Sequence, residues 1–135
     1  MRFVDTNVLL YAISTVPEER AKSRTALSAL DHEDLALSVQ VLQEFYVQAT
    51  RATRAGALTH DIAVGLIRTW LRFPIQNISV SVMGDALDIK ARTGLSYWDA
   101  AIIAAARALG CGELLSEDMQ HGRRIAAVKI VNPFR

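Results

Sequence analysis

The chain has 135 residues, 51% of them hydrophobic and 21% charged. That fits one domain with a sizeable core and excludes disorder and low complexity. Fifteen Lys and Arg against fourteen Asp and Glu leave a net charge of +1, so charge alone selects no acidic or nucleic-acid partner. The single cysteine, Cys111, excludes an intrachain disulfide, and the longest stretches without a charged residue, 6–17 and 73–84, hold 12 residues each, short of the roughly 18 to 20 that a membrane span needs.

The chain opens with a short strand over 2–4 that runs into Asp5. An acid there is foreign to a secretory leader, so a cytoplasmic location is expected. Residues 7–14 read as a helix that Thr15 to Pro17 break. A second helix starts at Pro17, with Glu18 and Glu19 on its positive end, and runs to about Asp31, turning Ala21, Thr25, Leu27 and Leu30 towards a core. Residues 35–38 form a second strand, and Ser38 caps a helix expected over 39–54. Gly56 separates it from a helix over 59–73, in which Ile62, Leu66, Ile67, Trp70 and Leu71 recur at helical spacing. Pro74 ends that helix. A weak strand over 75–78 and a helix over 82–93 follow, the helix anchored by Leu87 and Ile89 and closed by Gly94. Ser96 to Asp99 have the spacing of a capping box, and the helix behind them, 100–106, is apolar on every side and therefore buried. Gly110 stops it, and strands over 113–115 and 129–131 complete the chain. Strands alternating with helices give an α/β fold: a four- to five-stranded, mainly parallel sheet flanked by helices, in one domain over 1–135.

Few of the fourteen acids stand in apolar surroundings. Asp5 closes an apolar strand, Asp99 opens the buried helix, and Asp118 follows Leu114-Leu115-Ser116 just past a strand. All three fall on the carboxyl edge of a parallel sheet, where ligands bind. Each also has a plain structural use: Asp5 and Asp99 as helix caps, Asp118 as a turn residue. Gathered together, carboxylates repel by about 4 kcal/mol per pair at 4 Å and an effective dielectric near 20. No Lys or Arg lies within three residues of Asp99, and only Arg2 is that close to Asp5. A divalent cation is the simplest compensation, and an all-oxygen donor set without His or Cys selects Mg²⁺ or Mn²⁺ over Zn²⁺. Glu44 has Gln40 and Gln48 at i−4 and i+4 and so no helical ion pair. That polar stripe faces either water or the acidic pocket. Tyr97 and Trp98 could stack a base but are read first as packing residues, Trp70 as core or dimer interface, His121 as a turn or surface histidine rather than one approaching the site, and Cys111 as an inert small residue.

The order of these segments resembles the PIN domain. Asp5-Thr6-Asn7 with Val8-Leu9-Leu10-Tyr11 resembles its opening, the lone Glu44 its second acid, and Tyr97-Trp98-Asp99-Ala100 its third. Leu114-Leu115-Ser116-Glu117-Asp118-Met119 is similar to the fourth region. The resemblance spans the whole chain. It implies a three-layer sandwich and a metal-dependent endoribonuclease of the VapC type, the toxin half of a toxin–antitoxin pair. Asp5, Glu44, Asp99 and Asp118 would be its acids, the first, third and fourth of them metal ligands, with Asp118 favoured over the adjacent Glu117. Thr6, Asn7 and Ser116 would be polar support. It further implies an RNA substrate, a VapB-type antitoxin and a homodimer. Hydrolysis leaving 5′-phosphate and 3′-hydroxyl ends is expected, because no His–His or His–Lys pair suggests attack by a 2′-hydroxyl. Arg20, Lys22 and Arg24, Arg51 and Arg54, or Arg123 and Arg124 could hold RNA at the rim. Two other readings stay open, a non-catalytic binding module and a Mg²⁺-binding phospho-acceptor domain. None of the seven glycines forms a phosphate-loop motif.

Overall fold

A computed structural model describes residues 1–135. Strand β1 (Arg2–Val4) leads into α1 (Thr6–Ala12), a 3₁₀ turn at Pro17–Glu19 and α2 (Arg20–Leu30). Strand β2 (Leu35–Ser38) is followed by α3 (Val39–Ala49) and α4 (His60–Trp70). Strand β3 (Ile75–Gln76) is followed by α5 (Val80–Thr93) and α6 (Tyr97–Ala108), and the chain ends with β4 (Glu113–Leu115), β5 (Arg124–Ile125) and β6 (Val128–Val131).

The strands lie in the order β3-β2-β1-β4-β6-β5. All neighbours are parallel except β5 and β6. The chain builds outward from β1 to β2 to β3, then returns to place β4 on the other side of β1. Right-handed crossovers put the helices of the outward and return legs on opposite faces, giving three layers. Helices α1 to α4 pack among themselves, and α5 packs on α6. The reversal between β1 and β4 is the switch point at which such sheets open a crevice at their carboxyl edge.

Burial follows from the sequence pattern. All four residues of β2 are buried, and so is every residue of α6 from Ala100 to Ala106. Phe3, Leu9, Phe45, Ile103, Leu114 and Ile130 are among the fully enclosed side chains. Trp70 is core, its ring edge-on to Phe45 at 4.8 Å, which ties α4 to α3.

Several details differ from the sequence reading. Helix α3 stops at Ala49, five residues early: Thr50 turns its hydroxyl back onto the Tyr46 carbonyl at 2.7 Å, and the N–H of Leu58 takes the Ala49 carbonyl at 2.8 Å. Residues 51–54 have no apolar side chain large enough to prolong a buried face. Helix α5 begins two residues early because Ser79 caps it, accepting from the Val82 N–H. Leu27 and Leu87, expected to be anchors, are more than half exposed, while Ala26 and Ile89 hold those helices to the core. The sheet has six strands rather than four to five. The extra strand is β5, joined to β6 by a two-residue turn in which Ala126 (φ 51°) and Ala127 (φ 68°) are both left-handed. Such a turn matches the twist of a hairpin but ordinarily uses Asn-Gly, so the sequence carries no sign of it.

Candidate active site

Asp5, Glu44, Asp99 and Asp118 line one cavity of about 200 Å³ at the switch point, and no Lys, Arg or His lines it with them. Each acid arrives from a different part of the chain.

Asp5 is the residue between β1 and α1. Its backbone continues the sheet by donating to the Leu115 carbonyl at 3.0 Å. Its side chain caps α1, with Oδ1 accepting from the Thr6 N–H at 2.7 Å. Oδ2 accepts from the Ser116 hydroxyl at 2.8 Å and more weakly from the Asn7 amide at 3.4 Å. The cap is therefore also a wall of the cavity, and the structural and site uses of Asp5 coexist. These donors are all neutral. Burial pushes its carboxyl up to about 7; the Ser116 and Thr6 bonds oppose that rise, and the nearby charges of Asp118 and Glu44 add to it.

Ser116 and Asn7 join the two sides of the crevice. The Ser116 hydroxyl donates its one proton to Asp5 and accepts from the Asn7 amide and the Asp118 N–H, each at 3.1 Å, so its capacity is filled. The Asn7 amide also donates to Asp118 Oδ2 at 3.1 Å, and its carbonyl accepts the Glu117 N–H at 3.1 Å. One asparagine in α1 thereby fixes the loop after β4.

Glu44 turns to the cavity and not to water. Its Oε2 accepts from the Thr6 hydroxyl at 2.8 Å and its Oε1 from the Gln40 amide at 3.0 Å. Gln40 reaches on to the Trp98 carbonyl at 3.3 Å, and Gln48 lines the cavity. The stripe spaced at i, i+4 and i+8 is thus one face of α3 laid along the crevice. Asp99 stands in the first turn of α6, where Ser96 caps the helix by accepting the Asp99 N–H at 3.1 Å. Partial burial raises its carboxyl above the usual range; Ser96 opposes that, and Asp118 and Glu44 add to it.

Of the two adjacent acids after β4, Asp118 lines the cavity and Glu117 does not. Glu117 is paired with Lys22 of α2 at 2.6 Å. Burial would raise its carboxyl, but Lys22 and the nearby Tyr11 hydroxyl outweigh that and hold it below the usual range. The sequence reading missed Lys22 and Tyr11 here, since nothing local links them to residue 117. His121 lies outside the cavity, its Nδ1 accepting the Asn132 N–H at 2.9 Å. Trp98 departs from expectation: it is 64% exposed, on the border between the acidic cavity and a neighbouring apolar groove of about 450 Å³. Two of the three basic clusters abut the site, Lys22 through Glu117 and Arg54 through the Leu10 carbonyl at 3.4 Å. Arg123 and Arg124 line a separate hollow with Arg92.

The donors are carboxylate, amide and hydroxyl oxygens, which suit a hard divalent cation. No three of His, Cys, Asp and Glu converge at ligand spacing. The arrangement therefore fits a cation that keeps several waters and is held through one or two carboxylates at a time, as Mg²⁺ commonly is.

Acids gathered at the switch point of a mainly parallel sheet, without a base among them, define the class: an α/β domain with an acidic cavity at its carboxyl edge. The chain belongs to the PIN-domain family, which matches residues 2–126. No curated protein sequence matches it. Among solved structures it is similar to a toxin–antitoxin complex from Klebsiella pneumoniae, at 24% identity and a TM-score of 0.71 over 98% of each chain. It is also similar to the FitAB structure bound to the IR36 DNA fragment, at 22% identity and a TM-score of 0.75, covering 100% of this chain and 96% of that one. A third is VapC20 of Mycobacterium tuberculosis, a sarcin–ricin loop cleaving toxin, at 20% identity and a TM-score of 0.65 over 87% and 92%. At these identities the likeness establishes the fold.

Proposed function

We propose that the protein is a Mg²⁺- or Mn²⁺-dependent endoribonuclease acting as the toxin of a toxin–antitoxin pair. The observation that carries this reading is the cavity itself: four acids from four separate parts of the chain, one of them buried with a carboxyl pushed up to about 7, and no cationic side chain at the wall. A fold does not need that arrangement, and a structural acid is ordinarily paired when buried. The PIN-domain family and the toxin neighbours support the same reading.

Asp5, Asp99 and Asp118 would share the cation, one or two of them directly and the rest through its waters, and Glu44 would complete the acidic set. When bound, the cation lowers the pKa of a water and offsets charge on the phosphodiester. The chain's own residues do the rest. The Thr6 N–H and the Ser116 hydroxyl fix both oxygens of Asp5. The Asn7 amide steadies Asp118 at the rim. The Thr6 hydroxyl and the Gln40 amide each donate to one Glu44 oxygen, leaving lone pairs free to accept from a water or a ribose hydroxyl. Trp98 offers an exposed ring beside the acids on which a base can stack, and Arg54 offers charge for a backbone phosphate. Attack by water at phosphorus with cleavage of the P–O3′ bond would leave 5′-phosphate and 3′-hydroxyl ends, whereas attack by a 2′-hydroxyl would expel O5′ and leave a cyclic phosphate.

A homodimer and a VapB-type antitoxin belong to the same proposal. Ile78, Val80, Met83 and Trp98 are exposed apolar side chains gathered around the 450 Å³ groove, a surface suited to a protein partner. Purified protein incubated with total cellular RNA should give discrete fragments in Mn²⁺, none with EDTA, and none from Asp99→Asn. Cleavage that survives both treatments contradicts the assignment.

A further inference from the structure

Glu117 and Asp118 are neighbours in sequence, yet they point to different places. The backbone between them is held from one side only: the Glu117 N–H is accepted by Asn7 and the Asp118 N–H by Ser116. What separates the two carboxylates is a cluster of side chains from α1, α2 and the C-terminal segment. There Lys22 Nζ lies 2.6 Å from Glu117 Oε1, 3.3 Å from the Tyr11 hydroxyl and 4.9 Å from the centre of the Tyr11 ring. The Phe134 ring closes the far side of Tyr11, edge-on at 4.9 Å. Glu117 Oε2 is sealed from water and makes no hydrogen bond. A carboxylate oxygen left in that condition is costly, so the Lys22 ammonium on Oε1, with the nearby Tyr11 hydroxyl, is what keeps this side chain in place.

We propose that Lys22 is a positioning residue: by capturing Glu117 it turns that acid away from the cavity and sets Asp118 at the rim. This rests on the reading of the cavity as a cation site. Without Lys22, the Glu117 side chain, 27% exposed, loses its counter-charge and is no longer held away from the crevice. The peptide it shares with Asp118 moves with it, and both acids then face the same crevice. Ser116 and Asn7 fix the loop's height above the sheet; Lys22 fixes its rotation. The pairing joins residues 95 positions apart and ties α2, which contributes no side chain to the cavity wall, to the geometry of the site.

The test is Mn²⁺ binding by calorimetry to the full chain, at a temperature where circular dichroism shows each variant folded. Lys22→Met should raise the Mn²⁺ dissociation constant by about 10-fold or more, the range in which outer supports of metal ligands act, and should lower kcat for RNA cleavage while leaving KM nearly unchanged. Lys22→Met/Glu117→Gln should recover part of that loss, because a neutral side chain no longer needs the ammonium and no longer competes for the cation. A residue serving stability alone would lower the melting temperature and leave the dissociation constant of the folded protein where it was. A folded Lys22→Met protein that binds Mn²⁺ within twofold of wild type overturns the proposal and leaves the nuclease reading standing. A folded wild type that binds no Mn²⁺ overturns both. If Lys22→Met does not fold, Lys22→Gln decides on the same terms: a dissociation constant raised more than about twofold supports the positioning role, and one within about twofold of wild type overturns it.

Discussion

The two ends of β1 treat charge in opposite ways. At its start, Arg2 grips Asp34 with two hydrogen bonds of 3.0 and 2.8 Å, and that bond holds the Asp34 carboxyl below its usual range. At its end, three residues further along, Asp5 is buried among neutral donors and its carboxyl is pushed up to about 7. The chain neutralises its own acid at the amino edge of the sheet and leaves acids uncompensated at the carboxyl edge. A missing partner at one end alone is what a site reserved for an external cation should look like.

Replacing Asp5 breaks that contrast most completely. Asp5→Asn should abolish RNA cleavage and also stabilise the cation-free protein in alkali. The sign follows from the direction of the shift. A carboxyl whose folded pKa is raised keeps its proton longer folded than unfolded, so its contribution is full below about pH 4, declines as pH rises to about 7, and is constant above that. For Asp5 the difference is at most about 4 kcal/mol. Urea melts of wild type in EDTA should lose stability between those pH values, and Asp5→Asn should lose much less. Next in size is Asn7→Ala, which releases Asp118, Ser116 and the Glu117 N–H together. It should cost about 1–3 kcal/mol and raise the Mn²⁺ dissociation constant about 10- to 100-fold, read by the same melts and by calorimetry. Away from both ends, Ala127→Gly relieves a left-handed alanine in the β5–β6 turn and should stabilise the protein by about 1 kcal/mol with unchanged cleavage. The smallest effect sharpens the comparison from the other side. Arg2→Ala removes an open surface pair, so the thermal midpoint should move little and Mn²⁺ binding not at all.

The sequence is most informative where local rules suffice. Helix starts place Asp5 and Asp99, because each serves as or beside a cap, and the run of alanines and isoleucines after Asp99 marks a buried helix without further context. Glu44 is different: Gln40, Glu44 and Gln48 are equally suited to water and to a crevice, and only the Thr6 hydroxyl, brought from another element, decides between them. Which of Glu117 and Asp118 enters the cavity depends on a lysine 95 residues upstream, beyond the reach of any local pattern. The β5–β6 hairpin is hidden because alanines fill a turn that normally advertises itself with Asn-Gly. Leu27, Leu87 and Trp98 have the spacing of core residues yet lie at the surface, since periodicity tells which side chains share a face and not what covers that face.

The central claim is that the charge left open at the end of β1 is meant for a cation, and proton release tests it most directly. Mn²⁺ titrations in two buffers of different ionisation enthalpy give the number of protons released on binding. With Asp5 near 7, about one proton should leave at pH 6, about half at pH 7 and almost none above pH 8. The pH-dependent part should vanish in Asp5→Asn. Binding with no proton release across that range, or release unchanged in Asp5→Asn, would contradict the account.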